Sequence, residues 1–196
     1  MALYKPVASR ETQRVYAEGL AKMIEIDRAP AGLPERFPLR LFVLNLADVT
    51  KGRDLASVQP AAWQFYLGSS AGPAIALTVA QPRQGEPPKM SSMTQKHDVR
   101  TFLEEVREVE RFPEVKVCDY ELRLLRVPTL VAAFWLRSLS PGNDLIVPYR
   151  SVVRRLKRMK GYPADKFFAI LRPVAERRLK PNTSPSHPAK SGKKTK

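Results

Sequence analysis

The apolar residues of this chain follow two different periods, and the order of those periods limits the folds that it can adopt. A pattern of helical period precedes each of two groups of strand-like segments, and two more helical patterns follow them. Because helices and strands are grouped in this way, the pattern favours an antiparallel or mixed sheet. We therefore predict an α+β fold in which a sheet of about six strands carries packed helices and a basic helical C-terminal region.

Four segments show the helical period, in which residues three or four positions apart are apolar. They are residues 10–27, residues 98–111, residues 149–160 and a last segment that begins at Pro163. Ser9 is a suitable N-cap for the first segment, and Gly161 is a suitable end for the third. Pro173 lies inside the fourth segment, so we expect it to kink or divide that helix.

Six other segments show the alternating or continuous apolar residues that are typical of strands. They are residues 39–46, 63–67, 74–80, 115–127, 129–137 and 145–147. Residues 81–96 contain three prolines and mostly polar side chains. We expect this stretch to be an irregular loop, because it is too polar and too rich in proline to pack.

The chain also lacks the features of several broad classes of protein. Its longest apolar run, residues 129–136, is much shorter than the roughly 20 residues that span a bilayer. Its one cysteine, Cys118, can form neither an internal disulfide nor a structural zinc site. No apolar stretch of signal-peptide length lies near the N-terminus. We therefore predict a soluble, cytoplasmic protein.

Positive charge is concentrated at the C-terminal end of the chain. The whole chain carries a formal charge of +15, from 34 basic and 19 acidic residues. Residues 150–196 hold 15 basic and 2 acidic residues, a net charge of +13. A localised positive field attracts polyanions, whereas scattered charge mainly confers solubility. The candidate partners are nucleic acid and an acidic protein. An anionic membrane is disfavoured, because the apolar side of the basic helix is needed by the domain.

This composition divides the chain into three predicted parts. Residues 1–149 form an α+β core domain, and residues 150–180 form a basic helical extension packed on the core. Residues 181–196 contain no large apolar residue and are rich in Pro, Ser and Lys. A segment of this composition cannot bury enough apolar surface to fold, so we predict a disordered basic tail.

Arginines recur every four residues in the predicted basic helix, which places them on one helix face. Such a stripe can follow a phosphate backbone without reading the bases. The residues predicted to contact phosphate are Arg150, Arg154, Arg155, Arg158, Lys160, Arg177 and Arg178. The sequence therefore predicts a non-enzymatic protein that binds RNA or DNA without sequence specificity. A structural or assembly subunit that docks on an acidic protein is an alternative, and it predicts co-purification with protein rather than with RNA.

A second alternative is an enzyme. Gly68, Ser70 and Gly72 match the G-x-S-x-G nucleophile motif, directly after a strand-like segment. Over about 16 residues this region resembles the strand-turn-helix of the α/β hydrolases. The resemblance implies a serine hydrolase or esterase with Ser70 as its nucleophile.

A serine nucleophile also needs a histidine base, and the chain contains two histidines, His97 and His187. His97 follows the motif closely in sequence, and His187 lies in the predicted tail. Residues 74–80 suit a strand as well as a helix, and a strand would make the motif an ordinary hairpin loop. Both interpretations of the motif stay open on the sequence alone.

A metal-dependent nuclease is the remaining enzyme class with some support. Glu114 and Lys116 form an E-x-K pattern on a predicted strand, with Asp98, Asp119 and Glu121 nearby in sequence. The pattern resembles nucleases that hold Mg²⁺ with clustered carboxylates and place a lysine near the phosphate. A charged outer face of a half-buried strand produces the same pattern. The chain has no phosphate-binding lysine loop, dinucleotide-binding glycine motif or zinc-ligand pair, so we predict no metal and no cofactor.

Overall fold

The fold combines one mixed sheet with helices on both of its faces. The computed structural model describes residues 3–26, 35–52, 54–68, 74–81, 86–95, 97–140 and 142–180. These residues contain nine strands, joined in one sheet, and five α-helices. The predicted α+β class is therefore confirmed, with more strands than expected.

Strands and helices occupy similar lengths of the chain. The strands are β1 (Leu3–Tyr4), β2 (Glu35–Val43), β3 (Pro60–Gly68), β4 (Ala74–Ala80), β5 (Lys89–Gln95), β6 (Tyr120–Val127), β7 (Val131–Ser138), β8 (Leu145–Ser151) and β9 (Tyr162–Pro163). The helices are α1 (Arg10–Glu25), α2 (Leu46–Thr50), α3 (His97–Val109), α4 (Pro113–Val117) and α5 (Ala164–Leu179), with a 3₁₀ turn at Leu55–Ser57.

The sheet is built from two antiparallel units that meet at a parallel pair. Across the sheet the strands lie in the order β5-β4-β3-β2-β6-β7-β8-β9, and β1 pairs beside β6. Strands β1 and β2 both run parallel to β6, whereas the other pairs are antiparallel. Neighbouring strands in sequence are therefore mostly neighbours in the sheet, as short connections require.

One face of the sheet is covered by α5 and α1. Successive side chains of a strand point to opposite faces, so Trp135 of β7 and Ile146 of β8 share this face and pack with the buried Phe167 of α5. Further along the sheet, Tyr16 of α1 stacks on Phe65 of β3 with ring centroids 4.1 Å apart. These contacts bury one side of the sheet, which we call the α5 face.

The opposite face, which we call the α3 face, is covered by α3 and α4. The apolar stripe of α3 points to the sheet, and its Phe102 and Val106 are buried together with Leu124 of β6 and Phe134 of β7. Val115 of α4 joins the same cluster. Apolar burial on both faces supplies the main driving force for this fold.

Helix α1 begins as the sequence predicts. The hydroxyl of Ser9 accepts a hydrogen bond from the backbone N–H of Thr12 at 3.2 Å, which confirms Ser9 as the N-cap. The helix turns its apolar residues toward the sheet and its charged residues toward solvent.

Among the helices in the described part of the chain, none is long and apolar enough to cross a membrane.

The predicted helix over residues 149–160 is wrong. Residues up to Ser151 continue β8, and the remainder forms turns. Val153 donates its backbone N–H to the Ser151 hydroxyl at 3.0 Å, and Lys157 donates its own to the Tyr162 hydroxyl at 2.9 Å. These bonds occupy amide groups that a helix would pair with carbonyls four residues earlier, so local side chains have replaced the helical bonding.

Two further expectations differ from the structure. Residues 81–96 are not wholly irregular, because they contain the edge strand β5, whose Met90 and Met93 pack near α1. The strand predicted over residues 115–127 begins only at Tyr120, because the residues after Pro113 form α4. Proline is tolerated in the first turn of a helix, where its missing N–H has no partner to lose.

The helix predicted from Pro163 is confirmed as α5, which continues through Pro173 without division. Its Phe167, Leu171 and Ala175 are fully buried, so packing holds the helix together despite the proline. The predicted tail, residues 181–196, lies outside the described residues. The division of the chain into three parts therefore stays a prediction.

Candidate functional site

Six basic residues lie within the eleven residues 150–160, which we call the basic segment. Five of the predicted phosphate contacts lie on it, and all five are exposed: Arg150, Arg154, Arg155, Arg158 and Lys160. The other two, Arg177 and Arg178, are exposed in the last turn of α5. The structure therefore places the predicted residues on two elements, although the helical stripe that suggested them is absent.

The basic segment is attached to the domain by apolar anchors and by one tyrosine. Val153 and Leu156 are buried in the core on the α5 face. The Tyr162 hydroxyl accepts from the backbone N–H of Lys157 at 2.9 Å and donates to the Arg155 carbonyl oxygen at 3.3 Å. Because these contacts hold the backbone, the basic side chains project from an ordered surface.

A cavity of about 950 Å³ lies next to the basic segment, on the α3 face of the sheet. It is lined by residues of six strands, of α3, of the β6–β7 turn and of the basic segment itself. The polar and charged residues of this lining are Gln64, Tyr66, Thr94, Thr101, Glu105, Arg126, Thr129, Tyr149, Arg150, Ser151 and Arg158.

An ion pair within the cavity lining joins α3 to the basic segment. Arg158 donates from Nε and Nη2 to the same oxygen of Glu105, at 2.9 and 2.6 Å. The Glu105 side chain is only 8% exposed, whereas that of Arg158 is 61% exposed. Burial raises the pKa of Glu105 above its ordinary value of 4.5, and the hydrogen bond from Arg158 offsets only part of this increase.

This raised pKa makes a prediction about stability. Since folded Glu105 binds its proton more tightly than unfolded Glu105, its contribution to stability is complete below pH 4.5 and falls as the pH rises through the raised pKa. The free energy of unfolding of the wild type, relative to Glu105→Gln, is therefore expected to fall as the pH rises above 4.5. Urea unfolding of both proteins at a series of pH values, from acidic to neutral, measures the difference.

Glu104→Gln is the matched control for this experiment, because Glu104 neighbours Glu105 on α3 but is exposed. The change with pH is assigned to Glu105 only where it exceeds the change measured with this control. The opposite trend is a rise in the free energy of unfolding of the wild type, relative to Glu105→Gln, as the pH rises. That result would show that the attraction between Glu105 and Arg158 outweighs the effect of burial.

Two tyrosines, Tyr66 and Tyr149, belong to the cavity lining, and the Tyr66 hydroxyl donates to Gln64 Oε1 at 2.8 Å. The ring of Tyr66 stacks on Phe102 with centroids 4.3 Å apart, and the ring of Tyr149 lies 4.8 Å from that of Phe134. Burial raises the pKa of both phenols above the ordinary 10.0, and the nearby charge of Arg126 offsets this only in part. Both hydroxyls therefore stay protonated at neutral pH.

The charges of the lining make this cavity positive. Arg126, Arg150 and Arg158 contribute three guanidinium groups, against the single carboxylate of Glu105, a net charge of +2. Thr129 in the β6–β7 turn has a φ of 64°, which is unusual for a β-branched residue, and it also lies in the lining. Guanidinium groups and hydroxyls are donors that suit an anion.

The residues of the hydrolase motif lie only partly within the description. Ser70 and Gly72 are outside the described residues, as are His187 and the side chain of His97. Gly68 ends β3 and pairs with Ala74 at the start of antiparallel β4. The segment after the motif is therefore a strand, as the hairpin interpretation predicts, and not the helix that the hydrolase resemblance implies.

The nuclease-like carboxylates are not arranged as a metal site in the described residues. Glu114 and Lys116 lie on α4 rather than on a strand, which corrects the expectation. Glu121 accepts a hydrogen bond from Arg123 at 2.7 Å and lies 3.7 Å from Arg40, so its charge is compensated by arginines. Within the described part of the chain, no group of three or more His, Cys, Asp or Glu residues is placed to hold a metal.

Sequence reasoning missed the acidic and aromatic residues of the cavity. The sequence does indicate that Glu105 is unusual. It lies between Phe102 and Val109 on the apolar stripe of α3, where a buried carboxylate needs a partner. Tyr66 and Tyr149 carry no comparable signal, since both lie in apolar strands and suit a core.

No protein-family model, no curated protein and no solved structure matches this chain.

Proposed function

We propose that the protein binds nucleic acid, RNA or DNA, through its phosphate groups and without sequence specificity. The observation that carries this proposal is the basic segment, where six of eleven consecutive residues are cationic and none is acidic. Its five predicted contacts are exposed on an ordered backbone. Phosphate contacts of this kind fix the position of a strand but carry no sequence information.

The packing of the segment supports an extended surface for a polyanion. The apolar anchors Val153 and Leu156 point into the core, which leaves Arg154, Arg155 and Lys157 exposed beside them. Arg177 and Arg178 add a second exposed pair at the end of α5. A cytoplasmic location is part of the proposal, and the single free thiol of Cys118 agrees with a reducing compartment.

The dependence of binding on salt tests the proposal. Each neutralised phosphate releases counterions, so log K should fall linearly with log salt by about 0.7 per contact on single strands. Arg154→Ala/Arg155→Ala is expected to weaken binding and to reduce the slope by about 1 to 2. Fluorescence anisotropy of a labelled oligonucleotide, titrated with the full chain at several salt concentrations, measures both quantities.

Arg10→Ala/Lys22→Ala is the matched control, because it removes the same charge from exposed positions on α1. This variant should leave the slope close to that of the wild type. Arg177→Ala/Arg178→Ala tests the contacts assigned to α5 and should reduce the slope as well. Salt-independent binding, or equal losses in the control, would contradict the proposal. Co-purification with an acidic protein would then become the better explanation of the basic segment.

A further inference from the structure

The cavity and the basic segment form one continuous surface. Arg150 and Arg158 belong to the basic segment and also line the cavity. A nucleic-acid strand whose phosphate backbone lies on the basic segment therefore passes the opening of the cavity. The volume of about 950 Å³ is within the range of sites that hold a molecule of nucleotide size.

The charge of the cavity favours a doubly charged anion over a singly charged one. Glu105 compensates Arg158 through the hydrogen bonds already described, and Arg126 and Arg150 account for the net charge of +2. A phosphodiester inside a strand carries one negative charge, whereas a terminal phosphate monoester carries about 1.5 to 2 at neutral pH. The monoester also offers three acceptor oxygens to guanidinium groups and hydroxyls.

The remaining lining fits the rest of a terminal nucleotide. Thr129 contributes a hydroxyl to the lining, and Val131 and Ala132 contribute apolar surface. Glu105 is already engaged with Arg158, so its negative charge is compensated where the phosphate would bind. The site therefore combines cationic, neutral polar and apolar groups in one concave surface, as ligand sites commonly do.

We propose that this cavity binds the terminal phosphate of a nucleic acid strand, with Arg126 and Arg150 as its main cationic contacts. The proposal rests on the proposed function, because it assigns the end of the same strand that lies on the basic segment. It predicts a protein that distinguishes strands with a phosphorylated end from strands that end in a hydroxyl.

The test uses the full chain and single-stranded RNAs of about 12 nucleotides with identical sequence. One RNA carries a 5′-phosphate, one carries a 3′-phosphate, and one ends in hydroxyls. Fluorescence anisotropy is expected to show about tenfold tighter binding of at least one phosphorylated RNA. Preference for only one of the two phosphorylated RNAs identifies the bound end. Displacement of the labelled phosphorylated RNA by adenosine monophosphate, but not by adenosine, would support a phosphate site in the cavity that also accepts a free nucleotide.

Arg126→Ala should remove the preference for the phosphorylated end and change binding of the hydroxyl-ended RNA by less than about twofold. Arg126→Lys should retain part of the preference, since it keeps the charge but loses the fork of donors. Arg107→Ala, on the exposed side of α3, removes the same charge outside the cavity and should leave the preference intact.

The possible failures are distinguishable. Equal binding of all three RNAs would overturn the terminal-phosphate site and leave nucleic-acid binding standing. A preference that survives in Arg126→Ala would also overturn the assignment to this cavity. Absence of binding to every RNA, and to the corresponding DNAs, would overturn the proposed function and this inference with it.

Discussion

Replacing Phe102 by alanine is expected to lower the free energy of unfolding by about 3 to 5 kcal/mol. Phe102 is only 6% exposed and lies at the centre of an aromatic cluster between α3 and the sheet. Its ring stacks on Tyr66 and approaches the rings of Phe134 and Tyr149, with centroids 5.2 and 5.6 Å away. The alanine variant loses this buried area and leaves a cavity that rigid strands cannot fill. Urea unfolding measures the loss.

Phe102→Leu is the control, because it keeps an apolar side chain at this position and removes less volume than Phe102→Ala does. It fills most of the space, so its loss of stability should be well below that of the alanine variant. Similar, small losses for both variants would contradict this account. Because α3 also carries Glu105, the alanine variant should disturb the cavity as well as the core.

The parts of the fold that follow from the sequence are those in which one period dominates. The apolar stripe of α3 leaves little choice of structure, and the helix forms close to its predicted bounds. Residues 74–80 form β4 within the predicted bounds, although their pattern alone also suits a helix. Strand β5 is different, because its residues Lys89–Gln95 are mostly polar. An edge strand packs on one side only, so its pattern is weak even though pairing with β4 orders it.

The basic segment shows how tertiary contacts override a local pattern. Val153, Leu156 and Met159 are spaced by three, which suits a helix as well as turns that pack the same side chains against the domain. The pairing of Ser151 with Val131 keeps the preceding residues extended. Neither this pairing nor the Tyr162 hydroxyl bonds can be read from the segment alone, so the charges were predictable and their arrangement was not.

The cavity could not be predicted because its parts are distant in sequence. Glu105 and Arg158 are separated by 53 positions, and Arg126 and Tyr66 come from two further strands. Only the order of strands in the sheet brings these side chains together, and periodicity does not determine that order. Composition therefore indicates a polyanion as the partner. The proposal that the protein distinguishes the terminal phosphate of a strand from its internal phosphates depends on the cavity, which only the structure reveals.

The second large effect is expected at Asp144, which joins the β7–β8 hairpin to the core. Its carboxylate accepts hydrogen bonds from the indole N–H of Trp135 at 2.7 Å, from the backbone N–H of Ser138 at 3.0 Å and from Arg137 at 3.0 Å. Trp135 is fully buried. Asp144→Ala leaves this indole N–H without a partner and is expected to lower the free energy of unfolding by about 2 to 4 kcal/mol.

A double-mutant cycle with Trp135→Phe isolates the contribution of the indole bond. In the Trp135→Phe background no buried indole N–H remains, so Asp144→Ala should lower stability by less than it does in the wild type. Asp144→Asn keeps one acceptor oxygen and should be milder than Asp144→Ala in the wild-type background. Equal effects of Asp144→Ala in both backgrounds would mean that the bonds to Ser138 and Arg137 account for its whole contribution. Unequal effects would show that a buried polar pair, invisible in the apolar pattern of β7, fixes the position of this hairpin.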